Sequence, residues 1–133
     1  MERPTRFKVS VGGYLGRSFQ VELAGPALIY REYGRGFQLV RQTEIMPTDS
    51  DWEIFLTKLE SLGFWHWRPE YANPGIVDGT SWGVEIELPS RAKLTAGSNS
   101  YPGKRRGHRG EMTEEFRAFL DAVSKLVGGM PFF

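Results

Sequence analysis

The chain contains no cysteine, which excludes a disulfide framework, a thiolate metal site and a cysteine nucleophile together. Histidine is nearly absent too, with only His66 and His108. Without cysteine or a His-x-x-x-His pair, these two form no recognisable transition-metal motif. Nor does Ser81 or Ser98 sit in the nucleophile-elbow pattern that a catalytic histidine would serve. No apolar run approaches the ~18 residues of a membrane span. The opening Met1-Glu2-Arg3-Pro4-Thr5-Arg6 lacks the apolar stretch of a secretory signal. The expectation is a soluble, cytoplasmic chain that enters no membrane. Charge of one sign is also missing: 17 Lys+Arg against 16 Asp+Glu leave +1. That balance gives no whole-chain case for a nucleic-acid or anionic-membrane partner.

What is present suits a folded domain. A hydrophobic fraction of 40% and an aromatic fraction of 14% in 133 residues are ample for one core and exclude wholesale disorder. Phe7, Val9 and Val11 alternate with Arg6, Lys8 and Ser10, and Phe19, Val21 and Leu23 alternate with Ser18, Gln20 and Glu22. The two-residue period predicts two strands with one apolar face each. A third strand is expected from about Leu28 to Tyr33. Gly34-Arg35-Gly36 reads as a hairpin loop into a fourth strand, Phe37 to about Ile45.

The period then changes. Trp52, Phe55, Leu56, Leu59 and Leu62 share one helical stripe, with Ser50 and Glu53 spaced as a capping box and Gly63 as the stop. Phe64 to Tyr71 reads as an extended aromatic segment. Trp82, Val84, Ile86 and Leu88 predict a further strand, with a partner near Lys93 to Ala96. Thr113 caps a last helix whose apolar stripe runs from Phe116 to Val127, closed by Gly128-Gly129. The order strands, helix, strands, helix predicts one α+β domain spanning residues 1–133. Its expected form is a twisted antiparallel sheet with two helices on one face.

The catalytic motifs are incomplete. Ile76-Val77-Asp78-Gly79-Thr80 resembles the Asp-x-Asp-Gly-Thr signature of haloacid-dehalogenase-type phosphotransferases. The nucleophile's position, however, holds Ile76, and an Asp-Gly turn accounts for the rest. Gly97 to Lys104 departs from a phosphate-binding loop in glycine spacing, in Arg105 after the lysine, and in Pro102, which lacks an N–H. Glu85 and Glu87 project from one face of a strand, as catalytic carboxylates can, but also as the wet side of any antiparallel sheet does. No cofactor is implied. Two features remain. One is the basic loop Lys104-Arg105-Arg106-Gly107-His108-Arg109, suited to phosphate or carboxylate recognition, and expected to be mobile because it has nothing to bury. The other is the aromatic set Trp65, Trp67, Tyr71, Trp82 and Tyr101. Trp82 and one of Trp65 and Trp67 are expected in the core, and Tyr71 or Tyr101 at the surface.

Trp65-His66-Trp67, Tyr71, Asp78-Gly79-Thr80-x-Trp82 and Gly97-Ser98-Asn99-x-Tyr101-Pro102 together resemble a recurring pattern in small uncharacterised bacterial proteins. That resemblance implies no activity. Gly12-Gly13-x-x-Gly16 after a first strand, with the element order, is similar to small bacterial metalloprotease inhibitors of the emfourin type, which implies an inhibitor-like fold. The expected function is a non-enzymatic binding or interaction module with another protein as partner. Trp65, Tyr71, Tyr101, Lys104, Arg105, Arg106 and Arg109 are the candidate contact residues. A weak nucleic-acid binder using residues 103–109, with Tyr101 as a stacking platform, is the alternative, and an enzyme of unrecognised type is a third.

Overall fold

The structure is a computed structural model that describes residues 2–72, 79–103 and 111–133. Lys104, Arg105, Arg106 and Arg109, the turn at Asn73-Pro74-Gly75 and Asp78 lie outside the described residues. Strands β1 (Arg6–Gly12), β2 (Ser18–Ala24), β3 (Ala27–Tyr33) and β4 (Leu39–Ile45) form an antiparallel meander. After α1 (Asp49–Ser61) come the short strand β5 (Glu70–Ala72), the hairpin β6 (Ser81–Glu87) and β7 (Ala92–Ser98), and α2 (Glu114–Leu126). One seven-stranded sheet results, in the order β4-β3-β2-β1-β6-β7-β5. The first strand of the sequence thus sits in the middle, paired with β2 on one side and β6 on the other.

Alternation explains which face is covered. In register across the sheet, Tyr30, Val21, Val9, Val84 and Thr95 form one continuous inward row, and Phe19, Val11 and Trp82 belong to the next. All of these are buried. Both helices lie over this face and pack on each other. α1 contributes Trp52, Phe55 and Leu59, and α2 contributes Phe116, Phe119, Leu120, Val123 and Leu126. Among the described residues no helix covers the opposite face of the sheet, and some of its charges are paired. Arg6 Nη1 donates to Glu85 at 2.9 Å, which raises the Arg6 pKa, and Arg31 lies 3.4 Å from Glu22. Glu85 and Glu87 therefore belong to the wet face.

Four details depart from the sequence reading. The capping box of α1 is Thr48 with Asp51, not Ser50 with Glu53. The Thr48 hydroxyl accepts from Asp51 N at 3.0 Å, and the Asp51 carboxylate accepts from Thr48 N at 2.9 Å. Both pairs have the same spacing, and the one that wins has its first residue extended, with Thr48 at φ −76° and ψ 167°. The fourth strand starts at Leu39 because Arg35–Phe37 forms a 3₁₀ turn. The segment after α1 is no long strand. Gly63, left-handed at φ 67°, turns the chain into a 3₁₀ turn at Phe64–His66. Phe64 and Trp67 then both reach the core, a three-residue spacing that strand alternation would have split between two faces. Finally, the sheet is not wholly antiparallel, since β5 runs parallel to β7.

Aromatic packing fills the space between the sheet and α2. Phe64 stacks on Phe119 at 5.8 Å, and Trp82 meets Phe116 at 4.7 Å between ring centroids. Trp52→Ala and Phe116→Ala, each removing a side chain at most 1% exposed, are expected to cost about 3–5 kcal/mol apiece. Urea denaturation followed by tryptophan fluorescence measures this for Phe116→Ala, and far-UV circular dichroism for both. Unchanged midpoints would mean that the helices do not cover the sheet in this way.

Candidate functional site

The sequence-proposed aromatics come first, because the structure gives most of them structural work. Tyr71 and Tyr101 are 7% and 8% exposed, so the expectation that one of them lies at the surface is corrected. Tyr71 is buried because β5 docks beside Gly97 of β7, which sets its ring 5.8 Å from Trp82. Its hydroxyl accepts from Arg68 N at 2.9 Å. Tyr101 packs 4.9 Å from Phe116, and burial pushes its phenol pKa up. Trp82 and Trp67 are core, as expected. Trp65 is half-buried at the far end of β7, near the turn into that strand, where Arg91 lies over its ring at 4.1 Å and also pairs with Glu60. Trp65 is thus separated from Tyr71 by the length of β7, and the structure does not bring the three aromatics into one surface.

The residues of the recurring pattern hold one another. Asn99 Oδ1 accepts from Thr80 N at 3.0 Å, and Asn99 N donates back to the Thr80 carbonyl at 2.9 Å. Trp82 Nε1 donates to the Ser100 carbonyl at 2.9 Å. A Cβ on Gly79 would overlap the Asn99 amide, and one on Gly97 would overlap the Trp82 indole. The Thr113 hydroxyl caps α2 and donates to the Pro102 carbonyl. These contacts tie the end of the β6–β7 hairpin to the start of α2.

A different cluster is free to meet something. At the end of the sheet where β1 turns into β2, the exposed side chains include Tyr14 (61%), Leu15 (57%) and Phe37 (55%). Leu39, Val40 and Phe133 beside them are at least half exposed. Tyr14, Leu15, Phe37 and Phe133 line one surface cavity together, so these four exposed apolar side chains are grouped rather than scattered. The two loops that carry them are fastened together. Gly36 N donates to the Tyr14 carbonyl at 2.8 Å, and the Tyr14 and Phe37 rings meet edge-on at 5.7 Å. Phe37 is held at φ 58°, a left-handed conformation that costs a bulky residue of order 1–3 kcal/mol. Gly13 lies so close to strand-entering Gly79 that a Cβ would sit 2.5 Å from its carbonyl oxygen. Beneath this end a surface cavity of about 690 Å³ is lined by the 12–17 turn, Phe19, Phe37, Gly79 to Ser81 and Phe133.

The electrostatics of this end are basic. Arg17 Nη2 lies 3.1 Å from Glu32, a carboxylate otherwise buried among apolar side chains, and the same guanidinium covers the Phe19 ring at 5.1 Å. Arg35 and Arg41 are exposed and form no ion pair among the described residues. Sequence reasoning missed this cluster, although two signals were available. Tyr14-Leu15 is an apolar pair inside a glycine turn, and Leu39-Val40 places two apolar residues in succession where alternation would allow one. Among the described residues no three His, Asp or Glu side chains gather as metal ligands. No helix there is long and apolar enough to cross a membrane.

No family model matches the chain, and no curated protein or solved structure matches it either.

Burial raises the phenol pKa of Tyr30 as well as that of Tyr101, with Glu32 adding to the rise at Tyr30. The folded state therefore favours the neutral phenols more than the unfolded state does. Their contribution to stability is complete below the free tyrosine value of about 10 and is lost as pH rises above it. Absorbance titration should show Tyr30 and Tyr101 ionising late, with the melting temperature falling above about pH 10. If all five tyrosines ionise together in the folded chain, the burial described for these two is wrong.

Proposed function

We propose that this chain is a non-enzymatic binding module whose partner is another protein, engaged at the β1–β2 end of the sheet. The observation that carries the reading is the exposed Tyr14, Leu15 and Phe37 cluster on two mutually fastened loops. Exposed aromatic and aliphatic side chains gain free energy when a partner covers them, and aromatic anchors supply much of the affinity of protein interfaces. Their scaffold is already set by the Gly36–Tyr14 hydrogen bond and by the tight approach of Gly13 to Gly79. Little further ordering is then needed on binding. Phe37 in a left-handed conformation fits the same view, because backbone strain persists where the surroundings over-determine it and collects at ligand clamps and switch regions.

The rim narrows the partner. Arg17 is already matched by Glu32, while Arg35 and Arg41, the latter opposite Glu32 across the β3–β4 pair, form no ion pair among the described residues. The complementary surface is an apolar segment flanked by Asp or Glu. Such a partner would be steered by the two arginines and held by the apolar anchors, so that salt would change the association rate more than the dissociation rate.

The test is capture from a lysate of the source cells with the wild-type chain and with a Leu15→Asp/Phe37→Asp variant. Both positions are exposed, so the variant should melt within about 2 °C of wild type, surface changes being small in free energy. Wild type is expected to retain a specific protein that the variant loses. Identical captures by the two chains would move the interface elsewhere. Retention of nucleic acid that is released by moderate salt would favour the basic segment instead.

A further inference from the structure

We propose that the free edge of β4 receives an extended segment of another chain, which joins the seven-stranded sheet as a further strand. The inference rests on the reading of the sheet end as a partner surface, and adds how the partner is held there. β4 closes one side of the sheet, and the three-residue β5 closes the other. A very short edge strand offers few groups to pair with, which is one way proteins blunt an edge. β4 instead has seven residues, Leu39–Ile45, with neither proline nor lysine, and none of its side chains is fully buried. Only β3 pairs with it, and no other backbone hydrogen bond among the described residues involves these seven. Alternate N–H and C=O groups along the strand are left without a ladder partner, the template on which a further strand forms.

The side chains specify what that strand must carry. Leu39 and Val40 at the start of β4 are 51% and 61% exposed, and Met46 just past its end is 60% exposed. Between them stand two exposed charges on different faces of the sheet. Arg41 lies opposite inward-facing Glu32, and Glu44 lies opposite Ile29. Neither forms an ion pair among the described residues. Residues opposite one another in a strand pair share a face, so the complement has an acid on the side of Arg41 and a base on the side of Glu44. Apolar residues toward its two ends cover Leu39, Val40 and Met46. This is the apolar, acid-bearing partner of the sheet end, in extended form.

A second copy of β4 does not meet that description. In an antiparallel pairing about a two-fold axis the two sheets continue with their faces matched, so only residues of the same face stand opposite each other. Arg41 and Glu44 are on different faces, and no such register opposes them. Registers centred on either one set like charges against each other instead. A parallel two-fold pairing places each residue level with its own copy, which again sets like beside like. A different chain answers both charges at once.

The test is selection of displayed random peptides of about seven residues on the full wild-type chain, then anisotropy titration of the enriched sequence as a capped synthetic peptide. The expected sequence alternates β-branched or aromatic residues and carries an acid and a base three residues apart. N-methylation of every second peptide residue blocks one edge of it. One alternate set should weaken binding at least about tenfold, and the other set should change it little. Arg41→Gln and Glu44→Gln should each weaken binding about two- to fivefold, with melting temperatures near wild type because both side chains are exposed. Enrichment of no alternating sequence, or equal binding by the two methylated sets, overturns the proposal. A chain that sediments as a dimer and accepts no peptide overturns it too, and puts a second copy on the edge. The Leu15→Asp/Phe37→Asp variant judges the sheet-end reading separately. If that variant loses its captured protein while the two methylated sets bind alike, the reading stands and strand addition fails. If its capture is unchanged while only one methylated set binds, strand addition stands and the apolar cluster is not the contact.

Discussion

Asn99 is the point on which much of the fold turns. Its side chain and its backbone both bond to Thr80, so the end of β7 is clamped to the entry of β6 without any further strand pairing. The same short stretch presents the Ser100 carbonyl to the Trp82 indole and the Pro102 carbonyl to Thr113. Each of these is a buried or half-buried polar group, which would cost roughly 1–3 kcal/mol if left without a partner. Asn99 itself takes a left-handed backbone, φ 53°, which asparagine tolerates better than most residues. Through this knot the hairpin, the aromatic layer and the N-terminus of α2 share one geometry, and a change at any of them is felt by the others.

The aromatic layer extends that constraint. Trp82 touches Trp67, Tyr71 and Phe116, while Phe116 touches Tyr101 and Phe119. Rings packed this closely tolerate little change of volume, because close-packed interiors lack free space to absorb it. The glycines at 79 and 97 are required by this packing, since each faces a side chain that occupies the position of a Cβ. A sequence pattern of tryptophan, glycine, asparagine and tyrosine can therefore reflect the construction of a core corner. Such residues are easily mistaken for a binding surface.

That is also why the sequence was legible in some places and opaque in others. Phe7-x-Val9-x-Val11 and the Phe116-to-Val127 stripe announce their elements, since burial of one face imposes a period of two or of 3.6 residues. The central place of β1 is not written in any local pattern, because strand order depends on the distant β6. The turn at Phe64 is equally hidden. Three aromatics in four residues suit a strand by propensity, and only the demand that Phe64 and Trp67 enter the core together selects a 3₁₀ turn. Composition likewise cannot separate a buried Tyr71 from an exposed Tyr14, since both are single tyrosines beside glycine or charge. Exposure is decided by what the chain folds over them, and Tyr14 stays mostly exposed even with Phe37 against its ring.

The placement of β1 has a consequence for how the chain is made. The meander of the first 45 residues can form from local hairpins as soon as those residues are available, since each strand pairs with its neighbour in sequence. Its β1 edge, however, stays open until residues 81–87 arrive to complete the pairing. During synthesis, at the ordinary ~5–20 residues per second, that edge and the whole apolar face beneath the missing α2 remain uncovered for some seconds. The outward residues of β1, Arg6, Lys8 and Ser10, put charge and polarity beside the unpaired edge during that interval, a familiar way to discourage pairing with the wrong chain. In the finished protein the same strand lies at the centre of the sheet, with both of its edges sealed.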